Sequence, residues 1–391
     1  MKNLSDRKPK WSEASAGNVL LTLKNLNGRI SKWMEASAGN VLLLPAILIV
    51  LFLSIFPLLV SLGLSFTRVL FVKGGFVINW IGLSNYDKLL AGGEQRHFLG
   101  KFAELSPLGW LLLLVCVGVL LVMYVRYALS RRRRVFGLIM RLVVVVFGSA
   151  LVYLMLATST EGGIPGTLGV TLIFVGVGVS FQYVIGLLLA LLVTQNLPGK
   201  RFFRVIFLLP MMITPVGIGF LFRMLADTNK GPIVPVWLML GLQNFSWADT
   251  PFGARAAVLI GDIWQWTPFM FIILLAALEA TSHEQVEAAL VDGATRYSMF
   301  RYIILPQIMP VSTTLILIRM IEAFKIIDLP NILTGGGPGT ATESMTFYAY
   351  NLWRALDLGS SSAVAYMLLI VVTFFALVYV NSIRRRLVEN L

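Results

Sequence analysis

The chain has 391 residues, 57% of them hydrophobic and 13% charged, with a mean hydropathy of +0.82. Soluble globular chains carry about 25% charged residues, so a soluble enzyme, a disordered tail and a repeat array are excluded and an integral membrane protein remains. Lys and Arg number 32 against 19 Asp and Glu, a net charge of +13, which in a membrane protein marks cytoplasmic loops rather than a nucleic-acid partner.

Residues 1–40 are polar and the apolar run that follows them is too long for a signal-peptide h-region, so no cleaved signal peptide is expected. They hold a short duplication: Lys10–Leu21 reads KWSEASAGNVLL and Lys32–Leu43 reads KWMEASAGNVLL. Two copies are too few for a solenoid, and the segment is read as cytoplasmic, with no required chemistry.

A helix needs about 20 apolar residues to cross a bilayer. Eight stretches qualify. Val41–Phe66, the span of residues 41–66, is followed by an external loop, 67–106. Pro107–Val125 and Val135–Ala157 form a hairpin, 107–157, turning on Arg131–Arg134. The remaining unit, 166–386, holds Thr167–Thr194, Val205–Phe222, Ala256–Leu278, Ile308–Leu329 and Ala363–Val380. The expected fold is therefore an all-α, multi-pass bundle of about eight transmembrane helices. With both termini cytoplasmic, the inner segments hold 21 Lys and Arg and the outer loops 9, as the positive-inside rule requires.

Within the spans, Pro210 and Pro215 are expected to kink the fifth. Gln182 and Tyr183 in the fourth are polar at mid-membrane. They either face a solute path or bond to another helix. Arg319, Glu322 and Lys325 lie three residues apart in the seventh and can pair on one face. Two readings stand for them, an internal ion cluster holding that helix to its neighbours, or contact with a solute or gate. Asp262 is expected to be solvated near the outer end of the sixth span, and Trp264 and Trp266 to belong to the interfacial aromatic belt. Gly335-Gly336-Gly337-Pro338-Gly339 lacks the Lys-Ser/Thr of a phosphate loop and is read as a turn or partner contact. Cys116, His97 and His283 form no metal-binding cluster, so no resident metal or cofactor is expected.

The cytoplasmic loop 281–310 carries the strongest signal. Glu284–Pro310 reads EQVEAALVDGATRYSMFRYIILPQIMP. Glu284–Val291 is rich in helix formers, Gly293 suits the left-handed residue that closes a helix, and Thr295–Ile304 is a second amphipathic stretch. Leu305-Pro306 is expected to end it and redirect the chain. Ala288 and Ala289 are small enough for a partner to approach closely, and Glu287 offers it a charge. On spacing alone, an amphipathic helix that binds only lipid headgroups fits as well.

Glu287-Ala288-Ala289, then Gly293, Ile303 and Leu305-Pro306, resembles the EAA loop of binding-protein-dependent ABC importer permeases. Asp262–Pro268 (DIWQWTP), Phe324–Ser344 (FKIIDLPNILTGGGPGTATES) and Leu356–Gly359 are similar to the carbohydrate-importing, maltose-type branch. So are Gly199–Arg204 and Ile81–Tyr86. Two departures stand out. The hairpin 107–157 looks additional to the common six-helix core, and Thr281-Ser282 replace the Ile-Pro that many relatives carry before the loop.

The resemblance implies a type I ABC importer permease, non-catalytic in itself, importing an oligosaccharide or related solute across a bacterial or archaeal plasma membrane. It implies a second homologous permease subunit, two ATP-binding subunits that hold ATP and Mg, an extracytoplasmic solute-binding protein and membrane lipids as partners. Glu287, Ala288, Ala289, Gly293, Leu305 and Pro306 would couple to the ATPase. Gln182, Tyr183, Arg319 and Glu322 are candidates for the solute path. A secondary transporter of a small polar solute is the alternative; it would need its own coupling-ion site and often shows inverted repeats, and no repeat between the halves is evident. A membrane enzyme would need a nucleophile, acid–base pair or metal cluster at the membrane face, and none is visible.

Overall fold

A computed structural model describes residues 43–130, 135–195, 198–228, 230–242 and 246–389. The duplicated N-terminal segment and the Arg131–Arg134 run lie outside the described residues. The chain divides into two compact units, Met1–Gly63 and Leu64–Leu391.

Among the described residues, seven helices are long and apolar enough to cross a membrane, or up to eight if one bent pair counts as a span. The first, α1 (Leu43–Ser65), is apolar throughout. Beyond it, β1 (Thr67–Val72) and β2 (Gly75–Trp80) pair antiparallel around the Lys73-Gly74 turn, with Phe71 opposite Phe76. The loop 67–106 thus contains a β-hairpin, followed by the short helices α2 (Ser84–Leu90) and α3 (Gln95–Phe98). A second, minimal pairing joins β3 (Gly100–Lys101) to β4 (Ile164–Pro165) across the helical hairpin of α4 (Pro107–Ala128) and α5 (Val135–Ser159).

The core is built from α6 (Thr167–Thr194), α10 (Pro251–Glu279), α12 (Arg296–Ala323) and α14 (Leu358–Glu389). α6 and α10 run parallel: Gly178 lies against Asp262, and eight residues on in each helix Gly186 lies against Met270. The glycines let the two backbones approach closely, the usual device of helix pairs in lipid.

Between α6 and α10 in the chain, the expected fifth span is broken rather than kinked. α7 (Lys200–Met212) and α8 (Pro215–Ala226) meet at 97°. Ile213 and Thr214 are extended, Pro215 opens α8, and the Thr214 hydroxyl accepts a hydrogen bond from the Gly217 amide. A short helix, α9 (Val234–Met239), precedes α10.

Leu305-Pro306 does not end a helix. α12 runs unbroken from Arg296 to Ala323 through a wide π-type turn at Phe300–Ile304. Pro306 has no amide hydrogen and its ring would crowd the carbonyl four residues back; the widened turn lies where that clash would fall, so the helix continues. The seventh span accordingly starts earlier than Ile308 and stops at Ala323, not Leu329. After it, Pro330–Thr334 is another π-type turn, and the glycine run forms a turn in which Gly335, Gly336 and Gly339 have positive φ. α13 (Met345–Arg354), capped by the Ser344 hydroxyl, lies between this turn and α14.

Candidate functional site

The loop after α10 folds as two helical pieces around one glycine. α11 (His283–Val291) follows Ser282. Its end closes through hydrogen bonds from the Asp292 amide to the Ala288 carbonyl and from the Ala294 amide to the Ala289 carbonyl. That wrap needs a left-handed residue, and Gly293 supplies it at φ +75°. Thr295 then caps α12, its hydroxyl accepting from the Ser298 amide at 3.2 Å. Gln307 bridges back to α11: its amide donates to Gln285 Oε1 at 2.6 Å, and its Oε1 accepts from the Ser282 amide at 3.3 Å. The two pieces therefore form one stiff arm.

On this arm Glu287 and Ala288 are exposed, while Ala289 turns inward. Leu305 is half-buried and Pro306 exposed. Leu290, Val291, Tyr297 and Tyr302 are uncovered, Val291 by 88% and Tyr302 by 75%. Two aliphatic and two aromatic side chains left uncovered on one short arm offer surface to a partner. At its base Arg204 of α7 pairs with Glu279 at the end of α10.

Deep in the bundle three polar side chains close on one another. Arg319 of α12 donates from Nη2 to both Asp262 carboxylate oxygens, at 3.0 and 2.9 Å, and from Nε to Gln182 Oε1 at 2.8 Å. The Gln182 amide returns to Asp262, at 2.7 Å to Oδ2 and 3.1 Å to the backbone carbonyl. Gln182 is 0% exposed, Arg319 1% and Asp262 4%. Asp262 is thus not solvated: its charge is matched inside the protein, as a carboxylate there requires. The Arg319 guanidinium also lies over the Trp266 ring, 4.7 Å from its centre, so Trp266 packs on this cluster. Glu322 and Lys325 stand apart, pairing with each other at 2.7 Å on the exposed side of the helix. Tyr183 donates to the Ser312 hydroxyl at 3.1 Å, a second link from α6 to α12.

A cavity of about 1130 Å³ opens between α6, α7 and α10. Val177, Phe181, Ile206, Leu209, Trp264 and Thr267 contribute to its wall, Pro210 stands beside the broken span, and Arg255 brings a charge to the lining. The Arg255 Nε donates to the Ala341 carbonyl in the glycine-rich turn at 2.7 Å.

A second polar cluster, outside the spans, escaped the sequence reading. His97 Nε2 and Glu343 Oε2 are 2.5 Å apart, and Glu343 also accepts from Asn351 at 2.7 Å. The His97 ring stacks on Tyr348, centres 4.2 Å apart, and the Tyr348 hydroxyl donates to Glu94 at 3.1 Å. The bond to Glu343 holds the His97 pKa above its ordinary value, against the opposing effect of burial, with help from the charges of Glu343 and Glu94. Burial and the neighbouring carboxylates push the Tyr348 hydroxyl pKa up. No local spacing pairs residues 246 positions apart.

The family described as "Binding-protein-dependent transport system inner membrane component" matches residues 182–388, more than half of the chain. The chain belongs to this family. The permease is 35% identical over 217 residues to the trehalose/maltose transport system permease protein MalF of Thermococcus litoralis, a stretch covering 56% of this chain and 74% of that one. It is 31% identical over 226 residues to the trehalose transport system permease protein SugA of Mycobacterium tuberculosis, covering 55% and 68%. Its fold is similar to a chain in the crystal structure of a bacterial ABC transporter that imports the acidic polysaccharide alginate. That superposition has a TM-score of 0.63 at 20% identity and covers 91% of this chain and 99% of that one. The permease is a multi-pass inner-membrane component of an ABC importer, and the secondary-transporter alternative falls with that membership.

Proposed function

We propose that the permease carries a sugar, an oligosaccharide by preference, delivered by an extracytoplasmic solute-binding protein. A second, homologous permease and two ATP-binding subunits complete the machine. ATP and Mg belong to those subunits, and this chain holds no cofactor of its own. Both termini and the 281–310 arm face the cytoplasm.

The observation that carries this reading is the arm itself. It is stiffened by Gln307, closed by Gly293, studded with uncovered apolar side chains and continuous with a membrane-crossing helix. Glu287, Ala288 and Ala289 would seat in an ATP-binding subunit. Leu305 and Pro306 would transmit its motion into α12. Solute would pass along the cavity beside the α7–α8 break, since transporters build solute sites at discontinuous helices and large apolar cavities with a few polar groups are the usual ligand sites. Gln182, Tyr183 and Arg319 would support that wall from behind, and Glu322 would lie on the path only where α12 meets the second permease.

The test is the assembled complex in proteoliposomes, with ATPase activity measured against binding protein loaded from a panel of trehalose, maltose, longer oligosaccharides and polyols. Stimulation by at least one sugar is expected, and its loss together with uptake in Glu287→Ala. Uptake at the wild-type level in Glu287→Ala rejects the coupling role of this residue, and uptake without any ATP-binding subunit rejects the whole reading.

A further inference from the structure

Arg319 and the coupling arm belong to one helix. α12 leaves Thr295, two residues after Gly293, and reaches Arg319 without a break. At 1.5 Å per residue that is roughly 35 Å of rod. At its far end the rod meets the cavity wall indirectly. Asp262 holds Arg319 from α10, and Ile263, Trp264 and Thr267, its near neighbours in α10, line the cavity.

The rest of what α12 buries, such as Leu315, Met320 and Ala323, is apolar, apart from Ser312 and its link to Tyr183. Apolar contacts set how closely two helices lie. They resist sliding along the axis weakly, because one methyl group replaces another, and packed helices shear past one another for this reason. A planar guanidinium held at two nitrogens is different, because Nη2 on both Asp262 oxygens and Nε on Gln182 together fix its position along the axis. Gln182 comes from α6, so three helices share one register. Stability alone is a poor reason for such a cluster, since apolar side chains of similar volume replace buried ion pairs at little or no cost.

The arm is entered from α10 through Ala280–Ser282 and left through α12. We propose that the Arg319–Asp262–Gln182 cluster is an axial register lock that makes α10 and α12 follow the arm as one unit at the cavity wall. Arg319 is then a positioning residue, acting through Asp262 on Trp264 and Thr267. The inference rests on the reading of the 284–306 segment as the ATPase-docking arm.

The test uses the full complex in nanodiscs, in a Cys116→Ser background, with spin-label distances read with and without ATP and vanadate. One label pair, Val291→Cys with Phe202→Cys, reports the arm. The other, Phe252→Cys with Trp353→Cys, reports the outer end of α10. In the otherwise unaltered permease both distances shift. In the neutral pair Arg319→Met/Asp262→Asn the arm shift persists and the α10 shift falls below half. Arg319→Lys keeps the charge without the planar guanidinium and shows the same loss, so the outcome does not hang on one variant's folding. A full α10 shift in either variant overturns the lock and leaves the docking arm standing. An arm distance indifferent to nucleotide in the unaltered permease overturns the docking reading, and the lock with it.

Discussion

A methyl group built on Gly186 would stand 2.6 Å from Met270 Cβ and 3.0 Å from the Phe271 amide nitrogen. No carbon fits there, so α6 and α10 touch through this glycine. Gly186→Ala is expected to force the helices apart at a cost of about 1–3 kcal/mol, the range for overpacking a tight core. Gly176, with nothing within 4 Å of the same construction, supplies the control: Gly176→Ala should leave stability equal or higher. Thermal unfolding of the two variants in detergent checks this, and equal melting points would contradict the close approach.

The His97–Glu343 contact ties the short helix α3 to the segment leading into α13. The folded His97 pKa is raised above 6.5. Its contribution is complete below pH 6.5 and is lost as pH climbs through the folded value. The stability difference between the unaltered protein and His97→Gln should therefore be largest near pH 6 and shrink toward pH 9. Melting curves across that window measure it. A difference that holds constant or grows with pH contradicts the ion-paired histidine.

Gly293 has positive φ and open space around its missing side chain. Gly293→Ala thus meets only the backbone penalty of a left-handed residue, about 1–2 kcal/mol, and Gly293→Val meets more because it is β-branched. Solute-stimulated ATPase and uptake should fall together in the order Gly, Ala, Val, while the melting point of the whole permease moves by only a few degrees. Uptake insensitive to both substitutions would remove Gly293 from the coupling arm.

The spans were legible because about 20 apolar residues in a row leave a chain few other places to go, and the arm because its spacing is local. What sequence missed depended on distance or on backbone detail. Asp262 looked solvated since its partners lie 57 and 80 positions away. Glu322 looked like the partner of Arg319 since i, i+3 spacing allows both pairings, and the helix face gave Glu322 to Lys325 instead. Leu305-Pro306 looked like a helix end because a widened turn leaves no mark in composition. The hairpin Thr67–Trp80 did leave a signal: Lys73-Gly74 between runs rich in Val, Leu, Phe and Ile is a strand–turn–strand pattern, which a count of apolar spans passes over.

The sidedness of the arm is the most direct test of the account. In a Cys116→Ser background, Ala288→Cys is exposed to a membrane-impermeant maleimide in right-side-out and inside-out vesicles, with and without the ATP-binding subunits. The account predicts labelling only in inside-out vesicles, and protection when the ATP-binding subunits are bound. Labelling from the outer face, or equal labelling with and without those subunits, would contradict it.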